Sequence, residues 1–337
     1  MAGTINDVAK IAGVSSTTVS HVINNTRFVS EDVRNRVLQA MKELGYKRNY
    51  LARSLRRGKT STIGMIMPDS SNPFFAEIAH DIEDYAFRRG YSVILCNTEG
   101  DPEKELFYID LLYQKQVDGM IFIAAGENEK SIKFIIDNDI DVVIIDRELY
   151  SDDHTQFPKV LVDNESGGYL ATKHLIDIGH RRIVCICGPS FLTPSAERES
   201  GYQRALKEAD IPFDESLIIR GEFHTETGYH AFKQLQSISP APTAVFASND
   251  LIAIGLIYAA QENGIRVPDD LSVVGFDDIK LASYISPSIT TIRQPINAIA
   301  QNAMDNLLNI LNNKEVTFEI RLPVELIIRG STKAINE

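Results

Sequence analysis

Beginning near Thr62, short apolar runs recur down the chain: IGMIM, YSVILC, VDGMIFIA, DVVIID, VLVD, IVCICG, LIIRG, TAVFAS and LSVVGFD. Between them lie segments of helical spacing, such as PFFAEIAHDIEDYAFRRG. The runs are continuous rather than alternating, which is how strands covered on both faces are written. They predict an α/β body with a doubly wound parallel sheet. Ligands in such sheets sit beyond the carboxyl ends of the strands.

Polar residues collect at those ends. Asn72 precedes Pro73, Phe74 and Phe75; Asp146 and Arg147 follow VVII; Arg198 lies beyond IVCICG; Asn249 follows AVFAS; Asp277 follows SVVGF; Gln294 follows TTIR. One such residue alone is a helix cap or a turn residue. A series of them at successive strand ends, with Phe74, Phe75 and Phe223 as flat walls, suits a polyhydroxylated ring. Each buried hydroxyl of such a ring needs a partner, and that need is how the site would discriminate.

The first sixty residues read differently. The chain has 34 Lys and Arg against 46 Asp and Glu, a net charge of −12, which taken whole argues against a nucleic-acid partner. Counted by region, residues 1–60 carry +7 and the remainder −19, a basic module on an acidic carrier. Thr4 begins a capping-box-like start whose fourth residue is Asp7, and Val8, Ala9 and Ala12 follow as an apolar stripe ended by Gly13. Ser15 caps a second helix, STTVSHVIN, whose Val19, Val22 and Ile23 face inward while Ser16, Thr17, Ser20 and His21 lie opposite. A third helix runs from beyond Ser30 through Val33, Val37, Met41 and Leu44 to Gly45. Two short helices around a Gly-containing turn, closed by a third, predict a helix-turn-helix. Its second helix would enter the major groove of double-stranded DNA. Ser16 and Thr17 allow close approach there, and His21 is placed to donate to a purine acceptor.

The stretch TINDVAKIAGVSSTTVSHVINNTRFVSEDVRNRVLQAMKELGY closely resembles, without gaps, the head of the lactose-repressor (LacI/GalR) family, above all its purine and ribose repressors. The resemblance implies that Ser16, Thr17 and His21 contact bases and that Ser15, Thr18, Asn24 and Tyr46 help with phosphates. The next segment, KRNYLARSLRRGKTST, is too polar to bury much surface and reads as a linker that is disordered or frayed without DNA. Its ARSL word resembles the family's hinge helix. On that resemblance Leu55 is a wedge in a minor-groove base step, Ala52 packs beside it, and Arg56 reaches a base or phosphate.

The words NPFF, IIDRE, AERESGY, ASND, GFDD and TIRQP extend the resemblance to the family's effector domain, which shares its fold with periplasmic sugar-binding proteins. By that resemblance Asn72, Asp146, Arg147, Arg198, Asn249, Asp277 and Gln294 hold sugar hydroxyls, and Phe74, Phe75 and Phe223 sandwich the ring. Ribose acting as inducer is the leading effector; a purine or another sugar acting by corepression is the alternative. The implied organisation is a DNA-binding head at residues 1–48, a hinge at 49–61 and an effector and dimerisation domain at 62–337. Within the last, one subdomain takes residues 62–162 and 293–323 and the other 163–292 and 324–330. Crossovers fall near Val162, Arg293 and Leu322 to Val324. A homodimer on a pseudopalindromic operator is expected.

Other classes find little support. No G-x-G-x-x-G, P-loop, G-x-S-x-G or H-E-x-x-H occurs, so a sugar-acting enzyme is disfavoured, and neither a cofactor nor a metal is expected. The run Asp137 to Asp141 lacks the Gly and Glu of a calcium loop and reads as a solvated helix end. His224 and His230 stand six apart, a poor spacing for one helix face, and Asp277 with Asp278 shows no partner nucleophile. Cys185 and Cys187 would share one face of a strand as buried hydrophobes, not a bridge. The amino terminus shows no signal pattern, and no long apolar run occurs, so a cytosolic protein with no membrane partner is expected.

Overall fold

The computed structural model describes residues 4–46, 59–123, 128–146 and 156–335. They form two compact units that divide between Thr60 and Ser61.

The head consists of α1 (Ile5–Ala12), α2 (Ser16–Asn24) and α3 (Glu31–Glu43). Thr4 and Asp7 make a reciprocal capping box, and Gly13 ends α1 in the left-handed conformation, as their spacing predicts. Ser15 caps α2 through Thr18 N at 3.1 Å, and Asn25, also left-handed, ends it. Val8, Ala9, Ala12, Val19, Val22, Val37 and Ala40 form the core. Arg36 adds a tie that the pattern did not suggest: its Nη1 donates to Ala12 O at 3.1 Å, closing the end of α1 from α3.

The body contains two six-stranded sheets. The first lobe is built on β1 (Thr62–Met67), β2 (Ser92–Asn97), β3 (Gly119–Phe122), β4 (Val142–Ile145), β5 (Lys159–Val162) and β11 (Glu319–Leu322), in the order β11-β5-β4-β3-β1-β2. All its pairings are parallel. The second lobe uses β6 (Ile183–Cys187), β7 (Ile218–Arg220), β8 (Ala244–Ala247), β9 (Ser272–Asp277), β10 (Thr290–Arg293) and β12 (Glu325–Ile327), in the order β12-β10-β9-β8-β6-β7. Only the β10–β12 pair in it is antiparallel. The chain therefore passes between lobes after Val162, after Arg293 and between Leu322 and Glu325.

Two departures from the sequence reading have physical causes. β2 is an edge strand, with Ile94 and Leu95 exposed, so its continuous apolar run does not mean cover on both faces. β11 and β12 escape the apolar-run criterion because they too are edges, half covered and written with charges: EIRL and ELI. Cys96, Cys185 and Cys187 are buried free thiols, as read. Burial raises the Cys185 thiol pKa well above its usual value, which keeps it protonated and unreactive. Among the described residues no helix is long and apolar enough to cross a membrane.

Candidate functional site

The head presents a polar face on α2. Thr17 is exposed and Ser16 and His21 are partly so, while Val19 and Val22 on the opposite side are buried. His21 Nδ1 lies 2.8 Å from Thr26 Oγ1, which orients the imidazole. Ser15 and Thr18 are joined through their hydroxyls at 2.9 Å. Asn24 donates back to Ser20 O at 2.9 Å. Tyr46 packs against the head's core through its ring. Ala52, Leu55 and Arg56 lie outside the described residues, as does Arg147.

In the body, Asn72, Phe74, Phe75, Asp146, Arg198, Phe223, Asn249 and Asp277 line one cavity, joined by Pro194. The first four come from the first lobe and the others from the second. Gln294 reaches the same cluster, donating from Nε2 to Asp277 Oδ1 at 2.7 Å. The enclosed space is about 20 Å³, room for roughly one water and too small for a ring in this arrangement of the lobes.

Each of these side chains is placed by the end of a strand or helix. Asn72 caps the Pro73–Arg88 helix, accepting from Phe74 N at 3.0 Å. Asn249 caps the Asp250–Glu262 helix, accepting from Ile252 N at 2.8 Å, and its amide donates to Phe223 O at 3.1 Å. Cap and site are thus one residue: each side-chain oxygen holds a helix end while the residue lines the cavity. Phe74 and Phe75 stand 5.3 Å apart at 58°. The Phe223 ring lies where a side chain at Gly188 would fall, so the glycine after β6 is what admits that wall.

Arg198 is the centre of the cavity's charge. Only 4% exposed, it donates from Nε to Asn164 Oδ1 at 2.9 Å and from Nη1 to Ser248 O at 2.7 Å. Its guanidinium lies 3.7 Å from the Phe276 ring centroid, and Asp277 Oδ1 is 3.7 Å from Nη1. Asn164 and Phe276 were not legible as site residues; Asn164 reads as the first helical residue after a crossover and Phe276 as core. The helices Asn164–Asp177 and Thr193–Glu208 cross backbone to backbone at Gly168 and Gly201, and this approach brings Asn164 to Arg198.

The electrostatics follow from burial. Desolvation pushes the Asp277 carboxyl up to about 7, against the opposing pull of Arg198 and the Gln294 hydrogen bond. Desolvation likewise lowers the Arg198 pKa, with Asp277 and Asp146 resisting. Gln294 Oε1 is buried with no partner among the described residues, an acceptor facing a hydroxyl-sized need. Paired donors and acceptors beside the unmet Gln294 Oε1 suit a polar ligand that can donate a hydrogen bond.

A larger cavity of about 530 Å³ is lined by residues of the Ile219 to His224 stretch and the helix that follows, His224 and His230 among them. It is open and shallow, and Arg220 at its edge is already held by Glu199 at 3.0 Å. Volume favours this cavity; buried, convergent polar chemistry favours the smaller one, which we take as the site. Among the described residues no three His, Cys, Asp or Glu side chains gather to hold a metal ion.

Residues 4–49 match the model described as "Bacterial regulatory proteins, lacI family", and residues 172–332 match a periplasmic binding protein-like domain. The "HTH-type transcriptional repressor PurR" of Vibrio atlanticus (strain LGP32) is 43% identical over 336 residues, 99% of each chain. Among solved structures, a lac repressor dimer bound to operator and an anti-inducer has a TM-score of 0.87 at 28% identity, covering 99% of this chain and 100% of that one. A LacI-family regulator from Enterococcus faecium with bound ribose has a TM-score of 0.73 at 31% identity, covering 82% and 100%.

Proposed function

The chain belongs to the LacI family of bacterial regulatory proteins and is a DNA-binding transcriptional repressor, not an enzyme; from this premise we propose that a small sugar, ribose foremost, switches it. The observation that carries the effector assignment is the convergence of Asn72, Asp146, Arg198, Asn249, Asp277 and Gln294 on one cavity. These groups pair hydroxyls, and Phe74, Phe75 and Phe223 give a flat ring two faces to lie against. The ribose-bound relative supports the same reading. Arg147 belongs to the set by sequence.

In the proposed mechanism two copies read a pseudopalindromic operator in the cytoplasm of the cell. Ser16, Thr17 and His21 meet base edges, with Ser15, Thr18, Asn24 and Tyr46 near phosphates, and Ala52, Leu55 and Arg56 form the hinge contact. The proposed limits are 1–48 for the head, 49–61 for the hinge and 62–337 for the effector and dimerisation domain. Phosphate contacts make binding salt-dependent, and base contacts make it selective. Ribose binds one lobe arrangement better than the other and so releases the operator.

A second reading, a purine acting as corepressor, is favoured by the 43% identity to a repressor named PurR. Operator affinity measured with D-ribose and with hypoxanthine separates the two. Loss of operator binding on adding ribose supports induction by the sugar. A gain with hypoxanthine and no effect of ribose overturns it in favour of corepression.

A further inference from the structure

Asp277 and Asp278 are neighbours whose carboxyls serve opposite sides of one turn. Asp277 lines the effector cavity and is held by Gln294. Asp278 takes Arg293 Nε at 2.6 Å and Arg329 Nη2 at 2.6 Å, and its side chain is only 7% exposed. Both residues have left-handed backbones, with φ of 112° and 56°, a conformation disfavoured for residues with a side chain and kept only where the surroundings enforce it.

The surroundings do enforce it. Asp250, fully buried beneath the turn, accepts from Ile279 N at 2.9 Å and from Thr291 Oγ1 at 2.6 Å. Gly275 leaves the space its carboxyl occupies. The turn is thereby fastened to the Asp250–Glu262 helix and to β10.

Arg293 is the last residue of β10, where the chain leaves the second lobe for the Ile296–Leu311 helix, which packs on the first. Arg329 ties the same carboxylate back to Ile289 O at 3.0 Å. Two fixed points therefore meet at Asp278: the cavity through Asp277, and the crossover through Arg293.

We propose that Asp278 is a positioning residue that joins the effector cavity to the second crossover, so that displacement of Asp277 by a ligand is carried through the turn to Arg293 and on to the first lobe. This rests on the effector reading above. An ion cluster that merely stabilises the second lobe would set the melting temperature and leave the response to effector untouched.

The test measures two quantities on the full-length protein: affinity for effector, and the ratio of operator affinities with and without it. D-ribose and hypoxanthine are both applied to the unmodified protein, and whichever changes operator binding is carried forward. In Asp278→Asn, effector affinity should stay within about threefold while the operator ratio falls at least about fivefold toward one. Arg293→Lys, which keeps the charge and shortens the reach, should do the same to a lesser degree and serves if the first variant does not fold. An unchanged ratio in a folded variant overturns the joint. If neither ligand alters operator binding by the unmodified protein, the effector reading falls and takes the joint with it.

Discussion

The head and the body solve the problem of displaying polar chemistry in opposite ways. In the head, Thr17 and the outer edges of Ser16 and His21 face solvent and contribute almost nothing to a core made of Val8, Val19, Val37 and their neighbours. In the body, Asn72, Arg198, Asn249, Asp277 and Gln294 are all buried, and most of them also cap a helix or complete an ion pair. Function in the head is therefore separable from folding, whereas in the body the two share the same atoms. The difference teaches where a substitution is informative: a lost activity in the head names a contact, but in the body it must be read beside a stability measurement.

The sharpest way to break this contrast is Arg198→Leu. Removing a guanidinium that bonds Asn164 and Ser248 and faces Asp277 should cost the body about 3 kcal/mol and abolish effector binding, as read by urea unfolding and calorimetry. Val37→Ala strikes the other unit. Two buried carbons lost from so small a core should cost about 2 kcal/mol, enough to melt the head and abolish operator binding. Effector affinity of the body should stay as it was, and any change in it would mean the units are not independent.

Asp277 sharpens the comparison through pH. Its carboxyl, ordinarily titrating near 3.8, is held at about 7 in the fold, so the folded state prefers the protonated form. For an acid shifted upward, that preference contributes stability at low pH that is lost as pH rises from 3.8 toward about 7. Ribose hydroxyls, in contrast, are best accepted by the carboxylate. On the proposed effector reading, ribose affinity should rise about tenfold between pH 6 and pH 8 while the melting temperature of the unliganded body declines. Asp277→Asn should flatten the stability trend and remove the pH dependence of binding; a variant that retains either leaves Asp277 out of the account. The smallest effect belongs to Thr17→Ala, about 1 kcal/mol of operator affinity, seen as roughly fivefold in an electrophoretic titration. Its thermal midpoint should not move.

The same contrast governs what could be read from the residues alone. The head's caps, Thr4 with Asp7 and Ser15, are local signals and are found where their spacing put them. Asn72 and Asn249 were legible because a strand end followed by a cap letter is local too. Asn164 was not, since its role depends on two helices meeting at Gly168 and Gly201, a fact of tertiary packing. Phe276 carries Arg198 on its ring but spells only a buried strand. β11 and β12 were missed because edge strands do not advertise themselves by apolar runs, and β2 was overstated for the converse reason.

The three passages of the chain between lobes bear on how the protein is made. The first lobe opens at β1 but lacks its edge strand until β11 and one of its packing helices until Ile296–Leu311. On a ribosome, where segments emerge in order, the head's core can close before the body is made, whereas the first lobe must wait for the Ile296–Leu311 helix and β11. During that wait a nascent chain carries a closed reading head with no completed sensor, and a single head can meet only one half-site. Doubling the heads through dimers of finished bodies would keep half-made copies from silencing a gene.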